Sequence, residues 1–142
     1  MNCIFCKIVA NEASSSKVYE DNNILAFMDI QPVREGQVLV IPKEHIDHFT
    51  DIPDQIAVQI FVQARRIARV IKNKLNPERV GFVVHGYGVS HAHMIVVPQK
   101  DTDDITSGTM AEVRDGKVIF SSHNLLFPTR EELDRIAQLL KG

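Results

Sequence analysis

The stretch Val89-Ser90-His91-Ala92-His93-Met94-Ile95-Val96-Val97-Pro98 decides how this chain is read. Its residues alternate, then close in an apolar run stopped by proline, which is the pattern of a β-strand. Successive strand side chains point to opposite faces, so His91 and His93 are expected on one face, roughly 6–7 Å apart. Two imidazoles so placed can ligate a metal, attack an electrophile, or do one job each. A lone histidine usually decorates a solvated face. Here Gly86 and Gly88 come just before the pair, and glycine permits a tight turn and a close approach of backbone to a ligand.

Upstream, Gly81 to Val84 reads as the preceding strand, turning through His85-Gly86-Tyr87-Gly88. Val38-Leu39-Val40-Ile41 is a nearly continuous apolar run stopped by Pro42, as expected of a central strand. Lys17 to Glu20 and Ile24 to Met28, separated by the turn residues Asp21-Asn22-Asn23, predict an antiparallel hairpin. Asp29 follows at a strand end, and its plainest role is to cap a turn. From Pro53 to Leu75, Ile56, Ile60, Ala64, Ile67, Ala68, Ile71 and Leu75 recur at three- and four-residue steps and predict one long amphipathic helix. Arg65, Arg66 and Arg69 then fall on its wet face.

Beyond the opening stretch, Asp101 to Thr109 is expected to be a polar loop. Asp115-Gly116 between alternating residues predicts a type I′ hairpin within Met110 to Phe120. Thr129-Arg130-Glu131-Glu132 forms a capping box that opens a final helix running through Leu140. At the other end, Cys3 to Ala10 reads as a short helix with Cys3 and Cys6 on one side of it. Cys-x-x-Cys is half a zinc site, but a redox pair or two small buried hydrophobes have the same spacing. His45 and His48 follow the Pro42 strand, and either is free to meet the cysteines.

A chain of 142 residues fits a single domain, 1–142, able to bury its own core. Its formal charge of -2 gives no basic field, so a nucleic-acid polymer is not an expected partner. No apolar run reaches the roughly 20 residues that span a bilayer, and the first residues lack a signal-peptide pattern. The expectation is a soluble, cytoplasmic protein without a membrane partner.

The residues now quoted carry a resemblance. With Cys3-Ile4-Phe5-Cys6-Lys7-Ile8, Leu25-Ala26-Phe27-Met28-Asp29-Ile30, Leu39-Val40-Ile41-Pro42-Lys43-Glu44-His45, His91-Ala92-His93 and Val97-Pro98 in this order, the chain resembles the histidine triad (HIT) superfamily over about its first hundred residues. The resemblance implies an α+β fold with a mainly antiparallel sheet, one long helix and a C-terminal helix. It also implies action at the α-phosphate of a small-molecule nucleotide: a phosphoramidate, a nucleotide ester or a dinucleoside polyphosphate. His93 would be the nucleophile, forming a nucleotidyl-histidine that water cleaves. Asp29 would accept from ribose hydroxyls, Phe5, Phe27 and Ile30 would border the base, and backbone amides around Gly88 and Val89 would face the phosphate.

Similarity to the zinc-bearing branch implies Cys3, Cys6, His45 and His91 as ligands. Four such ligands close a tetrahedral Zn²⁺, so the metal would be structural. Family members usually pair as homodimers, which the resemblance extends to this chain.

The pattern also departs from the family's. Its third histidine position holds Ile95, Gln37 replaces a histidine common before the Leu-Val-Ile-Pro segment, and the loop before the triad is shortened to His85–Ser90. Isoleucine donates no hydrogen bond, and one well-placed donor is worth on the order of 10²–10³ in rate. Ser90, Gln37 and His85 are the polar residues that could compensate. Two other readings stay open: a nucleotide-binding module with weak catalysis, and a catalytic zinc held by His91 and His93 together with another ligand.

Overall fold

The computed structural model describes residues 2–102, 104–105 and 107–141. Its short helix α1 (Ile4–Val9) is followed by strands β1 (Lys17–Glu20), β2 (Ile24–Met28) and β3 (Val38–Pro42), then by the long helix α2 (Asp54–Leu75). Strands β4 (Arg79–Val83) and β5 (Met94–Gln99), the hairpin β6 (Ala111–Arg114) and β7 (Lys117–Phe120), and helix α3 (Arg130–Leu140) complete it. The fold is α+β. Five antiparallel strands lie in the order β1-β2-β3-β5-β4, with β6-β7 as a separate ribbon.

Why β2 and β3 are apolar at every position follows from the sheet being covered on both faces. Ile24, Ala26, Met28, Val38, Val40, Met94 and Val96 point to one side and pack under Ile60, Ala64, Ile67 and Ile71 of α2 and Leu133, Ile136 and Leu140 of α3. Leu25, Phe27, Leu39 and Ile41 point to the other and pack against Cys3, Phe5 and Ile8 of the N-terminal segment. Period-two alternation therefore sorts one apolar run into two cores. Each buried Val, Leu, Ile, Phe or Met side chain among them contributes about 1.5–3 kcal/mol by leaving water.

Helix α2 ends at Asn76 in the left-handed conformation, φ 49°, a common way to close a helix. Its arginines at 65, 66 and 69 are exposed, as the periodicity predicts. Thr129 caps α3 through a reciprocal pair with Glu132. Asp115 and Gly116 both have positive φ, which is what a type I′ turn requires. Residues 103 and 106 of the expected polar loop lie outside the described residues, and its end winds into a 3-10 turn, Ser107–Met110.

One expectation is corrected. The strand predicted from Val89 begins only at Met94; residues 89–93 lie outside the sheet. The Ala92 N–H bonds the Ile46 carbonyl at 2.7 Å, and the His91 N–H turns back to the Val89 carbonyl at 2.8 Å. Hydrogen bonds to a loop thus replace the ladder pairing that the alternation suggests. No helix among the described residues is long and apolar enough to cross a membrane.

Candidate active site and metal cluster

Cross-strand register builds the floor of the site. Phe27 on β2 stands opposite Leu39 on β3, which stands opposite Ile95 on β5, so three apolar side chains form one row on the α1 face. His93 is two residues before Ile95, at the mouth of β5, and lines the same groove. This groove has a volume of 480 Å³, in the range of small-ligand sites. Phe5, Phe27, Asp29, Ile30, Gly88 and Val89 all line it, so the sequence-predicted nucleotide residues come together around His93.

The two histidines are oriented by different partners. His93 Nδ1 lies 2.8 Å from the His91 carbonyl oxygen, which only accepts, so Nδ1 carries the ring proton and Nε2 keeps its lone pair. Phe5 meets both imidazoles in T-shaped contacts, with centroid separations of 5.8 Å to His91 and 5.5 Å to His93. The sequence placed the pair on one strand face; both rings do border Phe5, although the strand itself starts later.

His91 is fully buried, and its Nε2 donates to the Pro42 carbonyl at 2.8 Å. Its Nδ1 is thereby turned, as an acceptor, toward Cys3 Sγ at 3.5 Å and Cys6 Sγ at 3.6 Å. Burial pushes the His91 ring down, which favours the neutral form a metal requires. His45 Nδ1 stands 3.2 Å from Cys6 Sγ. Burial, with the neighbouring Cys3 thiol, pushes Cys6 up.

Donor atoms of Cys3, Cys6, His45 and His91 all lie within 4.8 Å of one another. A tetrahedron with bonds of about 2.0–2.3 Å has edges near 3.5 Å, so these separations suit a single ion held by two sulfurs and two nitrogens. Both cysteines are free thiols. His48, the other histidine expected near the cysteines, is exposed and outside this group.

Asp29 does what its plainest reading predicts and also faces the groove. Its Oδ1 accepts from the Gln31 N–H at 2.9 Å, and its Oδ2 accepts from Gln37 Nε2 at 2.7 Å. Gln37 is buried and spends its Oε1 on the Val33 N–H, so it orients Asp29 and does not reach His93. Ser90 borders the depression beside Cys3 and His45 instead. Of the three polar candidates only His85 enters the groove, 6.1 Å from His93 between ring centroids.

Among the lining residues that sequence reasoning did not assign to the site, Met110 and Arg130 lie nearest the C-terminus. Arg130 Nη1 donates to Ser16 Oγ at 2.9 Å, which places the start of α3 beside the groove. The capping box and the hairpin signal place Met110 and Arg130 in local structure, but no local signal marks either as a groove residue.

A HIT domain model matches residues 10–102. The chain belongs to the HIT family. It is 41% identical over 108 residues to the HIT-family "Protein hit" of Bacillus subtilis, covering 72% of this chain and 74% of that protein. An adenosine 5'-monophosphoramidase of Candida albicans is 34% identical over 145 residues, covering 95% and 93%. Among solved HIT structures, the zinc-bound histidine triad family protein of Mycobacterium smegmatis superposes with a TM-score of 0.73 at 28% identity, over 99% of this chain and 91% of that one.

Proposed function

We propose that this HIT protein is a hydrolase or transferase acting at the α-phosphate of a nucleotide, with His93 as nucleophile. The observation that carries the reading is the His93 hydrogen bond to the His91 carbonyl, because it leaves Nε2 as the nitrogen available to the groove. In the proposed step the Nε2 lone pair forms a bond to phosphorus while the bond to the leaving group breaks, its electron pair going to that group, which solvent water protonates. Nδ1–H, already given to a carbonyl, stabilises the positive charge the ring acquires. Water then attacks the nucleotidyl-histidine, its oxygen bonding to phosphorus as the N–P bond breaks; Nε2 recovers its lone pair and the attacking water's proton passes to solvent.

Around this centre Asp29 would accept from ribose hydroxyls with the lone pairs its two donors leave. Phe5, Phe27 and Ile30 would hold the base, and Gly88 and Val89 would bring backbone amides to the phosphate. The phosphoramidase name of the Candida relative supports a nucleotide substrate of this class. Cys3, Cys6, His45 and His91 would hold Zn²⁺, a reading that the zinc-bound Mycobacterium neighbour supports. The ion would supply a structural cross-link, since four protein donors leave no open position for substrate. The long helix and the edge strand would support a homodimer through the exposed side chains of Val58, Phe61, Phe82 and Val84.

Ile95 favours a second reading, a nucleotide-binding module that turns over slowly. Incubation with a reactive adenylate followed by intact-mass measurement under non-acidic conditions separates the two. The expected result is one nucleotidyl adduct on wild type and none on His93→Ala. Absence of adduct on wild type with any nucleotide would overturn the covalent mechanism and leave the binding module.

A further inference from the structure

The floor of the groove lacks a polar group where Ile95 stands, yet an imidazole lines the same groove from another element. His85 follows β4, in the loop that carries Gly86 at φ 80° and Gly88 at φ 94°. Nothing lies within 4 Å of a Cβ added at either glycine, so it is the left-handed backbone, not crowding, that favours glycine there. That turn folds the Tyr87 N–H back onto His85 Nδ1 at 3.2 Å. With Nδ1 accepting, the ring proton sits on Nε2. The neighbouring ring has the opposite tautomer: His93 donates from Nδ1 and offers a lone pair at Nε2. The rings meet edge to face at 87°, a donor beside a nucleophile.

We propose that His85 supplies, from the loop after β4, the hydrogen-bond donor that Ile95 cannot, giving its Nε2–H to a non-bridging oxygen of the phosphoryl group poised at His93. Two arguments fix this role. In an in-line displacement the leaving group departs on the side opposite the nucleophile, so a group flanking His93 meets the equatorial oxygens and not the leaving atom. Moreover, an imidazole whose Nδ1 already accepts from Tyr87 would become an imidazolate if it surrendered Nε2–H. His85 therefore shares its proton with charge and does not transfer it, and no extra co-reactant enters the step. Donors fixed before charge develops are the kind worth most in a transition state.

The inference rests on the nucleotide reading but not on turnover, and its test uses two readouts. In the non-nucleophilic His93→Ala protein, titration calorimetry compares AMP with adenosine. Replacing His85 by Ala in that background is expected to reduce the preference for AMP about tenfold, the worth of one hydrogen bond to a charged oxygen, with adenosine binding unchanged. In the otherwise wild-type chain, His85→Ala should slow adduct formation on the order of 10²-fold, equally for good and poor leaving groups. His85→Gln, which keeps an N–H, should recover part of it, and Ile95→His should help His85→Ala more than wild type. An AMP preference that does not depend on His85 would overturn the inference. So would a rate loss concentrated on poor leaving groups, which marks proton transfer. If wild type forms no adduct but the AMP preference still falls, the covalent mechanism fails and the His85 contact stands.

Discussion

Asp104 is a buried carboxylate in a stretch the sequence marks only as polar. Burial alone would push it up. The Arg34 guanidinium, with Nε at 3.1 and 3.0 Å from its two oxygens, and the Lys100 and Asp101 N–H groups at 2.7 and 3.0 Å outweigh that and hold it below the ordinary carboxylate range. A depressed folded-state value stabilises the fold above the unfolded carboxylate's value of about 3.9, and this contribution is lost as pH falls through the lower folded value. Asp104→Asn is therefore expected to lower Tm at neutral pH, with the gap to wild type closing below about pH 4. Thermal melts of both proteins from pH 3 to pH 7 check this. Because Arg34 keeps over a third of its side chain exposed, the loss at neutral pH should be about 1–2 kcal/mol and not the larger figure of a fully buried pair.

Among the helices, α1 is the least able to stand alone. Six residues are far too few for an isolated helix in water. Phe5 and Ile8 hold it from below, and the cysteine–histidine group holds its start. If the proposed ion is structural, chelation should remove it and lower Tm together with activity, whereas a catalytic ion would take activity alone. Cys6→Ser should likewise lose the metal and melt roughly 5–10 °C lower; elemental analysis paired with calorimetry reads both. Most elements were legible because their signals are local: the three- and four-residue period of α2, the capping box at Thr129, the Asp115-Gly116 turn. The segment at 89–93 was not, because alternation cannot reveal that the Ala92 N–H finds the Ile46 carbonyl. The Cys3-x-x-Cys6 spacing showed half of the cysteine–histidine group, but the choice of His45 and His91, and the residues around His93, were legible only through the family pattern, which names positions that are distant in sequence. Where that pattern is broken, at Ile95, the sequence offers three polar candidates, and packing alone selects His85 from among them.

At the scale of the molecule, an apolar strip runs over α2 and β4, where Phe61 and Phe82 meet at 5.7 Å with Val58 and Val84 exposed nearby. A contiguous patch of this kind on an edge strand and its covering helix suits a symmetric partner. Phe61→Glu is expected to convert a dimer to a monomer in sedimentation equilibrium while leaving the far-ultraviolet spectrum unchanged; a wild-type monomer would refute the pairing. The cysteine–histidine group also links distant chain positions, since Cys3 and His91 are 88 residues apart. During translation at about 5–20 residues per second, the two thiols emerge roughly 4–18 s before the last of their histidines. If the proposed ion shields the finished site, ribosome-bound intermediates carrying the two uncoordinated thiols should be more vulnerable to oxidants and alkylating agents than the metal-loaded protein.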